Sequence, residues 1–288
     1  MTRGEELGQE HGVRLPQGEL RYFERGEGRP VVFLHGVLTN ALLWRKVVPT
    51  VAAAGFRCLA PDLPLGAHTV PMRADADLSV PGVATLIGDF LEALDLRDVM
   101  LVANDTGGAL TQVLLARYPE RVGRVVLTPS DSFEYFFPPI FRTLPVIARV
   151  PGSMAVLGQL LRIRALYGLP LLFGWVTKHP LAPEIADDYL TRLHKSPGLR
   201  RDLRKLLRTV HSRHTLAAAE KLRQFERPVL LVWASEDKLF PIRLAQRLAE
   251  LLPDAKLVEV ADSYTFVSED QPAELARHVV EFAGAMAD

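Results

Sequence analysis

The stretch Leu101-Val-Ala-Asn-Asp-Thr-Gly-Gly-Ala-Leu110 constrains this chain more than any other. Residues 98–103 are apolar almost throughout and read as a short buried strand. Residues 109–118 read as a helix with apolar side chains on more than one face. Between them, small Ala103 and Gly107 stand two positions either side of Asp105. That is the spacing of the tight strand-to-helix turn written G-x-S-x-G, in which closely approaching backbones require small neighbours. Such a turn lifts its central side chain to the top of the sheet and aims the next N–H, here that of Thr106, at the same point. The central residue is an aspartate rather than a serine. A carboxylate there can attack an alkyl carbon and form an ester without first losing a proton. An aspartate also caps a helix N-terminus well, and Asp105 can do both.

The rest of the chain supplies the sheet that such a turn needs. Residues 18–25, 31–34, 57–60, 124–128, 228–234 and 255–260 read as further strands. Helical patterns cover 41–54, 83–94, 242–252 and 272–285. Short apolar strands alternating with helices indicate a mostly parallel sheet covered on both faces, with the chemistry at the carboxyl ends of the strands. His35, His68, Asp105 and Asp131 all follow predicted strand ends, which places them along one edge. The alternation stops from Ser132 to Arg227, where helical patterns are broken by Pro151-Gly152, His179-Pro180 and Pro197-Gly198. This predicts a helical cap over 132–227 inserted into a core of 1–131 and 228–288. The basic run 199–208 reads as the solvated face of an amphipathic helix. The aromatic residues of the stretch are core by default, with a few available to roof an apolar pocket.

Composition narrows the partners. A formal net charge of +0 and a pI of about 7.1 give no electrostatic footprint for nucleic acid. The one cysteine, Cys58, lies in a predicted buried strand, excludes an intramolecular disulfide and fits a reducing compartment. Residues 1–16 are polar and lack the apolar segment of a signal peptide, and no apolar run is long enough to span a membrane. The expectation is a cytoplasmic protein acting on a small molecule. No His/Cys/carboxylate cluster has metal-ligand spacing and no glycine fingerprint points to a cofactor. His211 and His214 lie three apart, two ligands without a third.

With these residues in view, the chain resembles the α/β-hydrolase superfamily over nearly its whole length. The branch it is similar to is that of haloalkane dehalogenases and epoxide hydrolases, which use an aspartate nucleophile. Three matches carry the resemblance: His35-Gly36 after an early strand, Ala-Asn-Asp-Thr-Gly-Gly at 103–108, and the segment 237–241 after a late strand. The resemblance implies an α/β-hydrolase fold with an inserted cap and Asp105 as nucleophile. It also implies an oxyanion hole made by the backbone N–H groups of Val37 and Thr106. Asp237 matches the acid that orients a catalytic histidine, with Asp131 as a second acid position. His35 is expected to be a structural hydrogen-bonding residue.

The departures are as informative as the matches. The family's histidine follows the last strand, and aligning Glu269-Asp-Gln-Pro272 puts Thr265 in its place with Tyr264 beside it. A threonine hydroxyl is far too weak a base at neutral pH, and a tyrosine of pKa about 10 is a poor one. The ester could therefore form and then persist. Dehalogenases usually place a halide-binding tryptophan after the nucleophile and often an asparagine after His-Gly; here those positions hold Thr106 and Val37. Trp175 could contribute from the cap, as could Tyr135, Tyr167 and Tyr189 for an epoxide-opening acid.

Three expectations follow. The first is a hydrolase using Asp105 with a relocated base, His68 foremost and His179, His194, His211 and His214 behind it. His278, inside the final helix, reads as a surface or packing residue. The second is a non-hydrolytic enzyme on the same scaffold, catalysing an elimination, isomerisation or ring opening. The third is a binding protein that has kept the pocket and lost the chemistry.

Overall fold

The computed structural model describes residues 4–284, so the expected extremes of the chain, 1–3 and 285–288, lie outside the described residues. Eight strands form one sheet in the order β1-β2-β4-β3-β5-β6-β7-β8. They are β1 (Gln9–Leu15), β2 (Gly18–Arg25), β3 (Arg29–Leu34), β4 (Phe56–Pro61), β5 (Val99–Asp105), β6 (Val122–Ser130), β7 (Val229–Ala234) and β8 (Ala255–Val260). The β1–β2 and β2–β4 pairs are antiparallel and every other pair is parallel. This is the α/β-hydrolase fold.

Strands β3, β5, β6 and β7 are buried over nearly their whole length, as continuous apolar runs in a sheet covered on both sides should be. The first helices in chain order are α1 (Val48–Ala53), α2 (Val80–Ala93) and α3 (Thr106–Leu115). Next come α4 (Leu144–Ile147), α5 (Ser153–Leu160), α6 (Pro183–Leu190), α7 (Arg192–Lys195), α8 (Pro197–Leu207) and α9 (Arg213–Leu222). The last are α10 (Arg243–Leu251), α11 (Val267–Asp270) and α12 (Pro272–Gly284). Helices α2, α3 and α9 pack together as one group, and α1 packs on α12 as another. Helix α2 starts at Val80 because the Ser79 hydroxyl accepts the Gly82 N–H and Pro81 stands in the first turn.

Three local expectations differ from the structure. The polar N-terminal stretch contains β1, an outer strand whose pairing with β2 supplies backbone bonds without a buried apolar face. The helix expected over 41–54 is two pieces, a 3-10 turn at Ala41–Trp44 and then α1. The chain breaks between them at Arg45, whose guanidinium turns to the Glu269 carboxylate. The basic run in α8 is also less solvated than its charge suggests. Arg201 and Arg204 donate to the carbonyls of Met72 and Ala148, and Lys205 reaches Ala74 at 2.8 Å. Those bonds dock α8, and its Leu199, Leu203, Leu206 and Leu207 are buried.

Among the described residues no helix is long and apolar enough to cross a membrane. Cys58 is buried in β4, and burial pushes its thiol up to about 12.

Candidate active site

The site is assembled at the carboxyl ends of the parallel strands. Asp105 is the last residue of β5 and the first neighbour of α3, with φ 53° and ψ −130°. That conformation is rare for a side-chain-bearing residue and is held by close packing on both sides of the turn. A Cβ on Gly107 would fall 2.6 Å from the carbonyl oxygens of Leu34 and His35. One on Gly36 would fall 2.6 Å from Asp105 Cγ. Both positions need glycine because backbone, rather than a movable side chain, or the carboxylate itself occupies the space.

The backbone N–H groups of Val37 and Thr106 are directed at the Asp105 carboxylate and hold its pKa down. Burial is the larger effect and pushes it up to about 6. At neutral pH the group is therefore mainly the carboxylate. His35 stabilises the loop that presents Val37. Its Nε2 accepts the Leu63 N–H at 2.9 Å, and the Thr39 hydroxyl donates to the Gly36 carbonyl at 3.0 Å.

Asp105 opens into a cavity of about 280 Å³ and is its only ionisable lining residue among the described residues. Val37, Leu239 and Phe266 come from loops after strands. Half of the lining residues are leucines from the helical stretch between β6 and β7, including Leu157, Leu166 and Leu203. The only other lining side chain with a polar group is Thr39.

Two further carboxylates lie close by. Asp131 follows β6, is fully buried, and its Oδ2 accepts the Thr106 hydroxyl at 3.1 Å. Burial raises its pKa well above the usual value, and the nearby Asp105 charge raises it further. Asp237 follows β7, where its Oδ1 accepts the N–H groups of Leu239 at 2.7 Å and Phe240 at 2.6 Å. Burial pushes Asp237 up to about 7 against those bonds, and the Thr265 hydroxyl beside it acts in the lowering direction. Thr265 is completely buried, yet neither Thr265 Oγ1 nor Asp237 Oδ2 has a well-formed hydrogen bond among the described residues. Tyr264 turns outward, with the Lys238 ammonium 4.4 Å above its ring, and does not line the cavity.

His68 is not brought to Asp105's cavity. It lies buried under α8, with Nδ1 accepting the Gly66 N–H at 3.4 Å and Nε2 facing Asp202 Oδ2 at 3.3 Å. Both ring nitrogens are thus engaged in holding the loop after β4 to α8, and this placement corrects its expected position as a relocated base. His179 pairs with Asp262 at 3.0 Å on the surface. His214 Nε2 faces the Thr209 carbonyl at 3.2 Å, and His278 packs between Glu274 and Glu281. None of the eight histidines lines the cavity. Trp175, Tyr135, Tyr167 and Tyr189 do not line it either. The Tyr167 hydroxyl donates to Asp187 at 3.1 Å, and the Tyr135 hydroxyl takes a bond from Arg243. Among the described residues no cluster of His, Cys, Asp or Glu could hold a metal ion.

Asn104 is a member of the site that sequence reasoning passed over. Its amide donates to Thr128 Oγ1 at 2.8 Å, to the Pro129 carbonyl at 3.1 Å and to the Thr265 carbonyl at 2.8 Å. One side chain thereby ties the β5 turn to β6 and to the loop after β8. Its position directly before Asp105 was the only signal available. Asp270 holds that same loop from the other side, accepting the N–H groups of Tyr264 at 3.0 Å and Lys178 at 2.9 Å.

Comparisons agree with this architecture. A family model described as the alpha/beta hydrolase fold matches residues 29–156. Haloalkane dehalogenase 2 of Mycobacterium tuberculosis is 26% identical over 278 residues, covering 93% of this chain and 92% of that protein. The cis-3-alkyl-4-alkyloxetan-2-one decarboxylase of Shewanella oneidensis is 24% identical over 281 residues, covering 94% and 87%. The solved structure of the haloalkane dehalogenase DatA from Agrobacterium tumefaciens C58 superposes with a TM-score of 0.79 at 25% identity, covering 98% and 99%.

Proposed function

The chain is an α/β-hydrolase-superfamily protein with haloalkane dehalogenase-like relatives, and we propose that its Asp105 forms an ester with the electrophilic carbon of a small apolar molecule. The observation that carries this reading is the single carboxylate, among the described residues, in a mainly apolar cavity, with two backbone N–H groups aimed at it. One carboxylate oxygen attacks the sp³ carbon. The C–O bond forms as the bond to a halide or a strained ring oxygen breaks, and the electron pair departs with that group. Completion would need water to add at the Asp105 carbonyl carbon, with Val37 and Thr106 N–H groups holding the developing oxyanion. Thr265 cannot take the proton from that water, so the reading is a competent first step and a slow second one. Residues 132–227 act as the cap over the core of 1–131 and 228–288, and the cavity draws its wall from both.

The test is intact-protein mass spectrometry after incubation with a panel of bromoalkanes and terminal epoxides. A stable mass increase on the wild type, absent from Asp105→Asn, is expected. No adduct and no product across the panel, or an equal adduct on the variant, would overturn the reading.

A second reading is favoured by the lack, among the described residues, of an indole, amide, phenol or imidazole side chain in the cavity to receive a halide or protonate an alkoxide. Opening of a 2-oxetanone, the ring in the name of the Shewanella oneidensis relative, has a carboxylate as leaving group. Asp105 attacks the ring carbon bonded to oxygen, and that C–O bond breaks to a carboxylate. The carboxylate is then lost as carbon dioxide, its C–C electron pair forming the alkene as the Asp105–carbon bond breaks. This route regenerates Asp105 and consumes no water. It matches a site with a carboxylate and no base. Alkene and carbon dioxide released without incorporation of solvent oxygen into Asp105 would select it over the first reading.

A further inference from the structure

The cavity's outer wall has a second property that the chemistry does not use. Among the described residues, eight of the ten large hydrophobic side chains left exposed fall between Val146 and Leu171. Val146 and Val156 are each 60% exposed, Val150 55% and Leu171 54%. Leu160, Leu169 and Leu171 belong both to this exposed set and to the cavity lining, so the apolar surface runs from solvent into the cavity. Isolated exposed leucines are ordinary; a concentration around a cavity wall marks an interaction surface.

The charge in the same stretch has one sign. From Tyr135 to Pro183 there is no aspartate or glutamate, while Arg142, Arg149, Arg162, Arg164 and Lys178 are present. Arg164 pairs with Asp187 and Lys178 with Glu236. Arg142, Arg149 and Arg162 are exposed and make no salt bridge among the described residues. Exposed aliphatic side chains interleaved with unpaired arginines match the two layers of an anionic bilayer surface, acyl boundary and phosphate headgroups. Among the described residues no helix is long and apolar enough to cross a membrane, so the proposed contact is peripheral.

We propose that this chain docks on anionic phospholipid surfaces through residues 142–171 and takes its substrate from the lipid phase. The substrate is then a lipid-soluble alkyl compound that enters along the leucines without crossing water. That second statement rests on the Asp105 reading; the docking itself does not.

The experiment is co-sedimentation with vesicles of phosphatidylcholine, alone or mixed with phosphatidylglycerol, at physiological salt. The wild type and Asp105→Asn are expected to sediment equally with the mixed vesicles and weakly with phosphatidylcholine alone. A Val146→Glu/Val150→Glu/Val156→Glu variant, altered only at exposed positions outside the cavity lining, should bind at least ~10-fold more weakly, with an unchanged circular dichroism spectrum. Three results would overturn docking. The wild type could stay in solution with both vesicles, or the triple variant could bind as well as the wild type. The stretch could instead mediate self-association that the triple variant abolishes, with no vesicle binding. If docking holds while the Asp105 adduct is never formed, the chemistry is wrong and the surface stands.

Discussion

Thr265 stands beside the Asp237 carboxylate, which lies close enough to Asp105 to feel its charge. Burial raises the Asp237 pKa, and the Thr265 hydroxyl acts in the lowering direction. Neither Thr265 Oγ1 nor Asp237 Oδ2 closes a well-formed hydrogen bond among the described residues. An imidazolium at this point would offset the negative charges of its neighbours. Without it, Asp105, Asp131 and Asp237 compete in a shielded region, and burial drives all three toward the neutral acid.

Replacing Thr265 by histidine should restore the second step. Asp237 Oδ2 is available to accept one imidazole N–H, leaving the other nitrogen to activate water. Release of a preformed Asp105 ester should accelerate by ~100- to 10,000-fold, the usual contribution of a general base. The check is decay of the adduct mass with time. Decay no faster in Thr265→His than in wild type would show that the missing base is not the block.

Adduct formation should follow the ionisation of Asp105 within the field of its neighbours Asp131 and Asp237. Only the ionised carboxylate attacks, and its pKa is pushed up to about 6. The rate of mass increase should therefore rise with pH to a plateau, with a midpoint near that value. A midpoint at the ordinary aspartate value would mean that Asp105 is more open to water than its surroundings indicate.

The same carboxylates set the sign of a stability change. Each has a folded pKa raised above the ordinary value of 3.8, so between there and about 7 the unfolded chain ionises first. The unfolded state binds fewer protons over this interval, and stability falls as pH rises through it. The contribution is fully present at the acid end and lost as pH rises through these raised values. The difference in Tm between Asp237→Asn and the wild type should therefore grow in the variant's favour from about pH 4 to about pH 7. A constant difference would remove the linkage.

Gly36→Ala tests the packing of Asp105, the proposed nucleophile. The added methyl would fall 2.6 Å from Asp105 Cβ and Cγ, so the carboxylate must move. A displacement of about an ångström costs on the order of 100-fold in a positioned reaction. Adduct formation should drop by at least that much, while far-ultraviolet circular dichroism stays near wild type. Unimpaired adduct formation would show that the carboxylate tolerates the shift.

Asn104→Ala should lower stability before it lowers chemistry. It removes donors to Thr128, Pro129 and Thr265 and leaves buried acceptors unsatisfied. A loss of about 1–3 kcal/mol is expected by denaturant titration. A change below that range would mean that water replaces the amide.

The amino-acid pattern alone was enough to read the alternation of strands and helices, the interruption after β6 and the turn at Asp105. Those signals are local: apolar runs, periodicity and small residues at fixed spacing record what each segment must bury. The last strand appears at the residues read for it, Ala255–Val260, because its limits follow from its own neighbours. The edge strand β1 was not legible, since its partner β2, rather than any apolar face, holds it. The histidines were equally mute. Five were candidate bases by chemistry, and only the packing of α8 on the loop after β4 showed that His68 faces Asp202 instead of the cavity. Asp131, Asp237 and Thr265 are separated by long stretches of chain, so their shared electrostatic field has no local signature. The order of the parallel strands brings them to one edge, and that order is a property of the folded sheet.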